Sequence, residues 1–458
     1  MTGGLAGKRV TVMGLGLFGG GLGVARWLHE QGAHLRISDR RGADVLADAL
    51  EALRPLRDLG RIEVECGQHT PEWFTQADLL VANAAVPTPW ANPLLLAARA
   101  AGVPITTEIR LSVEALADRR TIGITGSAGK STTSAMTLEA LRASGRRAVL
   151  GGNFGGSLLG DPDAAGADWL VLELSSAQLW WLSDEAADWS GQPRLGWHPT
   201  IGALTNLAPN HVDWHGSLAH YLVSKGGIVQ RDGGVVTWFG ADDPAAEQTA
   251  AQAIGAVTPW WRVPAPDVDL GGLSLAVPGA HMVQNARTAL ALLDRAAAID
   301  GRAGNRGAAV AAVNAFQGLP HRMQLVGSWR GVACFNDSKS TTPAATIRAL
   351  ESFNDLGRVH LIAGGYDKRI DLSGIAGLAP SLAGLYAIGQ VEAQLTTVGG
   401  LRCGDLERAV QAAFERAHPG DSILLSPACA STDQYPNFEH RGEHFVRLVR
   451  TTATAPSR

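Results

Sequence analysis

The sequence predicts an α/β protein of three domains, each built on a mainly parallel sheet. Three observations predict this class: short apolar segments alternate with helical patterns, glycine-rich loops follow several of these segments, and the strand–loop–helix pattern restarts twice. A chain of 458 residues is long enough for about three domains of ordinary size. We place them at residues 1–116, 117–318 and 319–458.

Composition and charge exclude several classes of protein. Hydrophobic residues make up 46% of the chain and charged residues 18%, which is typical of a soluble globular protein. The formal net charge of −4 gives no reason to expect nucleic acid or an acidic membrane surface as a partner. The 4 cysteines have no short pairing, which indicates a reducing compartment. With no signal-peptide pattern and no membrane-spanning apolar run, we expect a cytoplasmic protein.

The first domain opens with the pattern of a dinucleotide-binding, Rossmann-like fold. A strand at 9–13 leads into the loop Gly14-Leu15-Gly16-Leu17-Phe18, then a helix, then a second strand that ends at Asp39. Glycines let the backbone approach a pyrophosphate, and an acid at this place can accept from a ribose hydroxyl or a base N–H. This segment alone favours an NAD-dependent dehydrogenase about as much as any other nucleotide-binding protein. Asn83 follows a further strand and is either a pocket residue or an ordinary turn residue.

The second domain opens with a phosphate loop. A strand at 121–125 leads into Gly126-x-x-Gly129-Lys130-Ser131, a shortened Walker pattern, and then into a helix. The loop exposes backbone N–H groups beside the positive end of the helix, an arrangement that suits a polyphosphate. Lys130 would reach the outer phosphates, and the Ser131 or Thr132 hydroxyl would face a magnesium ion. The alternative is a glycine-rich turn that contains a lysine by chance. The pattern favours ATP or a similar nucleotide.

Polar residues follow the other strands of this domain. Glu173 ends a strand, where a Walker-B magnesium ligand belongs, although a structural glutamate is the competing interpretation. His211 follows another strand, and Lys225 lies in the next predicted helix. Taken singly, each of these is more often structural than functional. Because the carboxyl ends of parallel strands meet at one edge, the set favours a shared site.

The third domain has three strand ends that carry hydroxyls or lysines, at 336–341, 364–368 and 426–431. Each of them offers groups that bind a carboxylate or a phosphate. This domain is also predicted to be Rossmann-like.

Together these motifs resemble the Mur ligases, the ATP-dependent amide-forming enzymes of peptidoglycan precursor synthesis. The matching stretches cover nearly the whole chain and are Gly14-Leu-Gly-Leu, Thr125-Gly-Ser-Ala-Gly-Lys-Ser-Thr, Gly151-Gly-Asn-Phe-Gly, Leu172-Glu-Leu-Ser-Ser-Ala-Gln-Leu, His211-Val-Asp, Pro320-His-Arg, Asn336-Asp-Ser-Lys and Leu425-Ser-Pro-Ala-Cys-Ala-Ser. The C-terminal stretch through Asn437-Phe-Glu-His-Arg-Gly442 is the most specific to the glutamate-adding branch.

The resemblance implies a reaction. ATP would phosphorylate the alanyl carboxylate of UDP-N-acetylmuramoyl-L-alanine, and the amine of glutamate, with D-glutamate favoured, would displace the phosphate. ADP and phosphate would be released. The alternatives left open are a related ligase for L-glutamate or another amino acid and, more weakly, a nucleotide-dependent switch or the dehydrogenase. A folylpolyglutamate-type ligase shares the chemistry but gives no reason for the N-terminal domain.

The resemblance also implies roles for individual residues. The catalytic set would be Lys130, Glu173, His211 and Lys225. ATP would be held by Gly126, Ser127, Ala128, Gly129, Lys130, Ser131, Thr132, Asn285, Arg322, Asp337 and Lys339. The UDP substrate would be held by Gly14, Leu15, Gly16, Leu17, Phe18, Asp39, Asn83, Asn153 and Ser175. Glutamate would be held by Thr341, Lys368, Ser431 and Phe438. Two magnesium sites would use Ser131, Glu173, His211 and Lys225, the lysine as its carbamate.

Several positions depart from the family pattern. Ala128 stands where asparagine is usual in the phosphate loop, and Asn210 stands where an aspartate commonly precedes the histidine. The first-domain loop is Asn83-Ala-Ala-Val-Pro instead of the usual Ser-Pro-Gly form. The resemblance further implies a monomer with small-molecule substrates and no nucleic-acid or membrane partner.

Overall fold

Strands and helices alternate along the chain in a computed structural model, which describes residues 4–16, 20–154, 156–190, 196–207, 211–228, 236–238, 261–262, 273–367 and 370–454. The chain divides into two units, Met1–Gly271 with Asn285–Val310, and Gly272–Gln284 with Ala311–Arg458. Among the described residues, no helix is long and apolar enough to cross a bilayer.

The first sheet is parallel throughout and has the strand order β3-β2-β1-β4-β5. Its strands are β1 (Arg9–Met13), β2 (His34–Asp39), β3 (Ile62–Cys66), β4 (Leu79–Ala82) and β5 (Ile105–Thr107). The helices of this region are α1 (Gly20–Glu30), α2 (Ala47–Asp58), α3 (Pro71–Thr75), α4 (Pro93–Ala100) and α5 (Glu108–Ala115). The strand order reverses between β1 and β4, which is where open α/β sheets bind ligands.

The central sheet, in the described part of the chain, is also parallel and has the order β11-β10-β9-β6-β8-β7. Its strands are β6 (Arg120–Thr125), β7 (Ala148–Gly152), β8 (Trp169–Glu173), β9 (Ile201–Leu204), β10 (Val236–Trp238) and β11 (Trp261–Arg262). The helices that follow along the chain are α6 (Lys130–Ala143), α7 (Pro162–Gly166), α8 (Ser176–Leu182), α9 (Asp184–Ala187), α10 (Val212–His215), α11 (Leu218–Gly226), α12 (Ala280–Asp300) and α13 (Arg306–Asn314).

The third sheet has the order β12-β13-β17-β14-β15-β16, with β12 antiparallel to β13 and the other pairs parallel. Its strands are β12 (Gln324–Trp329), β13 (Val332–Asn336), β14 (Val359–Gly364), β15 (Gly384–Ile388), β16 (Leu401–Gly404) and β17 (Ser422–Leu425). Its helices are α14 (Pro343–Leu350), α15 (Ser373–Ala376), α16 (Glu392–Leu395), α17 (Leu406–Arg416) and α18 (Phe438–Thr454).

The predicted fold class is confirmed, because the described part of the chain contains three sheets of mainly parallel strands in the predicted order. Strand ends differ from the sequence prediction by one or two residues, which is the ordinary uncertainty of element boundaries. The structure adds elements that the sequence did not predict, among them β3, α2 and α3 in the first region and β12, β15 and β16 in the third sheet. β3 lies at the edge of its sheet, and two of its five residues, Glu63 and Glu65, are charged, so no continuous apolar run marks it. The domain boundaries at 116 and 318 stay a prediction.

A buried ion pair anchors the end of α12 to the central sheet. The Arg146 guanidinium donates from Nε and Nη2 to the two carboxylate oxygens of Asp300, at 2.8 and 3.0 Å. The indole N–H of Trp169 donates to the same carboxylate at 3.0 Å. These bonds and the positive charge hold the pKa of Asp300 far below its usual range although burial raises it. The paired state of this carboxylate therefore stabilises the fold.

Replacing Asp300 by alanine should destabilise the protein by about 3 kcal/mol, because it leaves the Arg146 guanidinium buried without its partner. The shift of the urea unfolding midpoint measures this. Asp294→Ala is the matched control, since Asp294 lies on the same helix and pairs with Arg306 at the surface, where a pair contributes about 0–1 kcal/mol. Equal shifts for the two variants would contradict the importance of the buried pair.

Candidate functional site

The phosphate loop joins β6 to α6 and needs glycine at two positions. Gly126 has a φ of 147° and Gly129 a φ of 77°, both in the region that favours glycine. A Cβ on Gly126 would collide with the Thr205 hydroxyl, and one on Gly129 would lie 2.7 Å from Asn285 Oδ1. The loop is therefore closed in by the end of β9 on one side and by α12 on the other.

The carboxamide of Asn206 holds the middle of this loop. Its Oδ1 accepts from the Ala128 N–H at 2.8 Å, and its Nδ2 donates to the Ala128 C=O at 3.2 Å. The Asn206 C=O accepts from the Ser127 N–H at 2.9 Å, and the Thr205 hydroxyl donates to the Ala128 C=O at 2.5 Å. The residue that departs from the family pattern, Ala128, is thus held entirely through its backbone.

Two lysine side chains converge on the loop. The Lys130 Nζ donates to the Gly126 C=O at 2.9 Å, and the Lys225 Nζ donates to the same oxygen at 2.9 Å and to the Thr125 hydroxyl at 3.2 Å. Lys225 is only 2% exposed. Burial, reinforced by the charge on Lys130, lowers the pKa of Lys225 well below its usual value. A buried lysine of this kind is available as the neutral amine.

Glu173, at the end of β8, has one carboxylate oxygen engaged and one without a partner. Its Oε1 accepts from the Asn153 Nδ2 at 2.7 Å, whereas its Oε2 is buried with no hydrogen-bond partner among the described residues. A buried unpaired oxygen is costly unless a ligand satisfies it. The hard oxygen of a carboxylate beside a phosphate loop fits Mg²⁺, so the residues present fit the predicted cation.

His211 precedes α10 in a left-handed conformation, with a φ of 51°. Burial and the nearby positive charges of Lys130 and Lys225 lower its pKa, so the ring is neutral near pH 7 and can act as a ligand. Its ring lies 6.5 Å from that of Tyr221, whose hydroxyl shares a 2.7 Å hydrogen bond with the Ser127 hydroxyl. Asn210 lies outside the described residues.

The structure brings the other central residues to the same edge of the sheet. Ser131 is buried in the first turn of α6, and Thr132 follows it half-buried. The Asn285 Oδ1 accepts from the Thr133 hydroxyl at 3.2 Å, directly beside Gly129. The Ser175 hydroxyl caps α8 by accepting from the Gln178 N–H. Ser175 is thereby engaged with the helix.

Among the described residues, no group of three or more histidine, cysteine, aspartate and glutamate side chains has the geometry of a metal site. A magnesium ion that binds mainly phosphate oxygens, with one carboxylate and one hydroxyl from the protein, needs no such group.

The glycine loop of the first sheet is held by neighbouring strand ends. The Gly16 N–H donates to Asp39 Oδ2 at 3.2 Å, and the other oxygen of Asp39 accepts from the Arg41 N–H. The Asn83 side chain lies against Gly14, where a Cβ would be 3.0 Å from Asn83 Nδ2. Leu15 is buried. The predicted residues of this pocket therefore lie together, except that Leu17 and Phe18 fall outside the described residues.

In the third sheet, the ends of β13, β17 and β14 adjoin, and the described residues of the predicted ATP and glutamate sets that follow these strands are Asp337, Lys339, Thr341 and Ser431. Burial raises the pKa of Asp337 to about 6, and its Oδ2 accepts from the Ser426 hydroxyl at 2.8 Å. The Lys339 ammonium lies 5.0 Å from the centre of the Phe438 ring. Of the other predicted residues, Arg322 is exposed, Thr341 is half-buried and Ser431 is buried. Lys368 lies outside the described residues.

Arg441, to which the sequence motifs assign no role, contacts the loops at these three strand ends. Arg441 is 1% exposed, and its guanidinium is the donor in the contacts that follow. It donates to the backbone oxygens of Ser338 (2.9 Å), Cys429 (3.1 Å), Ala430 (3.3 Å) and Gly364 (3.5 Å). No periodic pattern marks a residue of this kind. The only sequence signal was its place in the C-terminal stretch Asn437-Phe-Glu-His-Arg-Gly442.

The comparisons with known proteins cover the whole chain. Family models match as Mur ligase MurD-like N-terminal domain over residues 8–107, Mur ligase middle domain over 124–264, and Mur ligase glutamate ligase domain over 321–429. UDP-N-acetylmuramoylalanine–D-glutamate ligase of Koribacter versatilis is 32% identical, with 98% of each chain covered. The enzyme of the same name from Anaeromyxobacter dehalogenans is 36% identical, covering 98% of this chain and 99% of that one.

A solved structure agrees with this at the level of fold. The UDP-N-acetylmuramate–alanine ligase of Thermotoga maritima aligns with a TM-score of 0.55 at 18% identity, covering 97% of this chain and 100% of that one. The resemblance read from the motifs is confirmed. Three domain matches in order, and relatives more than 30% identical over nearly the full length, show that this chain belongs to the Mur ligase family.

Proposed function

We propose that this protein is an ATP-dependent ligase that joins glutamate, with D-glutamate favoured, to UDP-N-acetylmuramoyl-L-alanine in peptidoglycan precursor synthesis. The full-length relatives from two bacteria carry that activity in their names. The observation that carries the proposal is the central site, where a phosphate loop, a buried carboxylate with an unpaired oxygen and a buried lysine lie together. Such a set suits transfer of a phosphoryl group to a carboxylate.

The chemistry would run in two steps. A carboxylate oxygen of the alanyl group attacks the γ-phosphorus of ATP, and ADP leaves. The glutamate amine then attacks the carbonyl carbon of the acyl phosphate and loses a proton, and inorganic phosphate leaves as the amide bond forms. Both steps depend mainly on positioning and on neutralising charge. Lys130 and the N-terminus of α6 would supply positive charge to the outer phosphates.

Magnesium would be held by Ser131 and Glu173, with a second ion at His211 and Lys225. Its contribution when bound is to draw electron density from the phosphate oxygens and to screen their charge. The unpaired Glu173 Oε2 supports the first position. For the second, an ammonium would repel a cation, so we propose that Lys225 reacts with carbon dioxide to form a carbamate. Its burial and lowered pKa make the neutral amine available for that reaction.

The substrate assignments are part of the proposal. The sugar nucleotide would bind at the ends of β1, β2 and β4, where Gly14, Gly16, Asp39 and Asn83 lie together. Asn153 and Ser175 would complete the substrate site, with Asn153 at the muramoyl-alanine end, although the Asn153 carboxamide also donates to Glu173. Glutamate would bind near Thr341, Ser431 and Phe438, and Lys368 would bind a carboxylate. Asn285, Arg322, Asp337 and Lys339 would hold ATP.

We further propose three domains with boundaries near residues 116 and 318, a monomeric state and a location in the cytoplasm, where nucleotide-linked precursors and ATP occur together. Neither a nucleic acid nor a membrane is required by the reaction. The family assignment leaves the dehydrogenase and switch alternatives without support. A ligase for L-glutamate or another amino acid remains the second candidate, because the departures in the substrate loops bear on the choice of substrate.

Phosphate release with ATP, Mg²⁺ and UDP-N-acetylmuramoyl-L-alanine should depend on added D-glutamate, because the amine is needed to discharge the acyl phosphate. L-glutamate, D-aspartate and glycine serve as matched alternatives. Faster release with L-glutamate than with D-glutamate would favour the second candidate. No dependence on any amino acid would rule out the ligase.

Lys225→Arg should lower kcat by at least about a hundredfold, because arginine keeps the positive charge but cannot form a carbamate. Intact-protein mass analysis under carbon dioxide should show an added carbamate on the wild type after chemical trapping, and none on the variant. Removing bicarbonate from the buffer should lower the wild-type rate. Full activity of Lys225→Arg would contradict the carbamate.

Asn206→Ala should raise the Kd of ATP by about tenfold, because it removes two hydrogen bonds that hold the phosphate loop. Calorimetry with a non-hydrolysable ATP analogue measures this. Asn92→Ala is the matched control, since that carboxamide caps α4 through the N–H groups of Leu94 and Leu95 in the first sheet region. An equal change in both variants would show that the effect is one of general stability.

A further inference from the structure

The loop after β4 is fastened to the short helix α10 of the central sheet region. The Thr88 N–H donates to the Trp214 C=O at 3.1 Å, and the Trp90 ring meets the Trp214 ring edge-on, with centroids 5.6 Å apart at 79°. Thr88 has a φ of 40°, a left-handed conformation that residues other than glycine adopt only when their surroundings impose it. The loop that begins at Asn83 therefore ends in a fixed contact with α10.

Trp90 contacts two further helices of the central region. Its ring centroid lies 5.2 Å from that of Trp180 in α8 and 4.4 Å from that of His220 in α11. Each contacted helix adjoins a residue of the proposed catalytic set: α8 follows Glu173, α10 follows His211, and α11 contains Lys225. The Trp90 side chain, which comes from the first sheet region, therefore contacts all three of these helices.

The position of His211 depends on what fixes α10. This helix has only 4 residues, too few to be stable by itself. The N–H groups of Trp214 and His215 donate to the His211 C=O at 3.1 and 3.0 Å, so His211 moves with them. His215 is held by the Ser176 hydroxyl at 2.9 Å, and Trp214 is held by the first-region contacts just described.

We propose that Trp90 is a positioning residue that couples occupation of the sugar-nucleotide pocket to the placement of His211. Under the proposed function, on which this inference rests, Asn83 lines that pocket. A substrate that orders the loop from Asn83 to Trp90 would order Trp214 through the edge-on ring contact and the Thr88 hydrogen bond. Substrate binding would then further stabilise the segment that carries His211, through contacts that already join this loop to α10.

Simple packing is the alternative. Trp90 belongs to an apolar cluster with Trp180, Trp181 and Trp214, and aromatic rings stabilise such clusters wherever they occur. Packing alone predicts that a Trp90 variant loses stability while the substrate still orders whatever it ordered before. Coupling predicts that the response of α10 to substrate is lost while substrate binding is kept.

Hydrogen exchange on the full chain distinguishes coupling from simple packing. It is measured in EDTA, with and without saturating UDP-N-acetylmuramoyl-L-alanine. In the wild type, the substrate should slow exchange of amides at 83–88 and, by about fivefold, at 212–221, the size of effect that packed side chains transmit. In Trp90→Leu, protection at 83–88 should remain and protection at 212–221 should be lost. Trp90→Phe, which keeps an aromatic edge, should retain most of it.

Trp73→Leu is the matched control. Trp73 packs against the same cluster, but its ring contacts the Arg36 guanidinium of β2 at 5.6 Å. This variant should keep the protection at 212–221, whatever its thermal midpoint.

In steady-state kinetics, Trp90→Leu should lower kcat about tenfold with little change in the KM of the sugar nucleotide. A loss of substrate binding would instead raise that KM.

The outcomes are distinct. If the substrate protects 83–88 but not 212–221 in the wild type, the coupling is wrong and the proposed function still stands. The same holds if the wild type and Trp90→Leu show equal protection at 212–221. A wild type that the substrate protects at neither segment overturns the proposed function as well. A variant that loses thermal stability yet keeps the protection at 212–221 shows that Trp90 serves packing only.

Discussion

The backbone carbonyl of Gly126 accepts hydrogen bonds from two lysine side chains, and the rest of the central site depends on this meeting. Lys130 reaches it from the start of α6 and Lys225 from α11, both at 2.9 Å. Two ammonium groups this close repel one another, and burial makes the second charge still more costly. The site therefore favours either an anion between them or a neutral Lys225. Polyphosphate supplies such an anion, and the neutral Lys225 amine is the form that reacts with carbon dioxide to give the anionic carbamate.

Parallel strand register explains why the other groups lie within reach. Glu173 is paired in register with Ile124, directly before the phosphate loop, and Thr205 follows β9 on the other side of β6. Because neighbouring parallel strands end at one edge, residues far apart in the chain meet there without long loops. The same rule places Asp39 and Asn83 beside the glycine loop of the first sheet. The chemistry of each sheet thus follows from its topology.

The sequence predicted the strand ends well and their detailed partners poorly. Glycine loops, apolar strands and polar residues after them predict Lys130, Glu173 and Asp39 as site residues, because these signals are local. The hydrogen bonds between the Asn206 carboxamide and the Ala128 backbone could not be predicted, because they join two loops that are far apart in the sequence and leave no periodic pattern. The role of Arg441 was not predicted for the same reason, because its backbone acceptors come from three separate loops. The sequence likewise did not predict that the Asn153 carboxamide donates to Glu173, and the predicted substrate contact of Asn153 stays a prediction.

The central claim is that this chain activates a carboxylate by phosphorylation. The most direct measurement uses UDP-N-acetylmuramoyl-L-alanine with both oxygens of the alanyl carboxylate labelled with ¹⁸O, together with ATP and D-glutamate. Mass analysis of the released phosphate should find one ¹⁸O atom, transferred through the acyl phosphate, and the amide product should retain the other. Phosphate that carries no ¹⁸O would contradict the account, because it would mean that water and not the substrate carboxylate accepts the phosphoryl group.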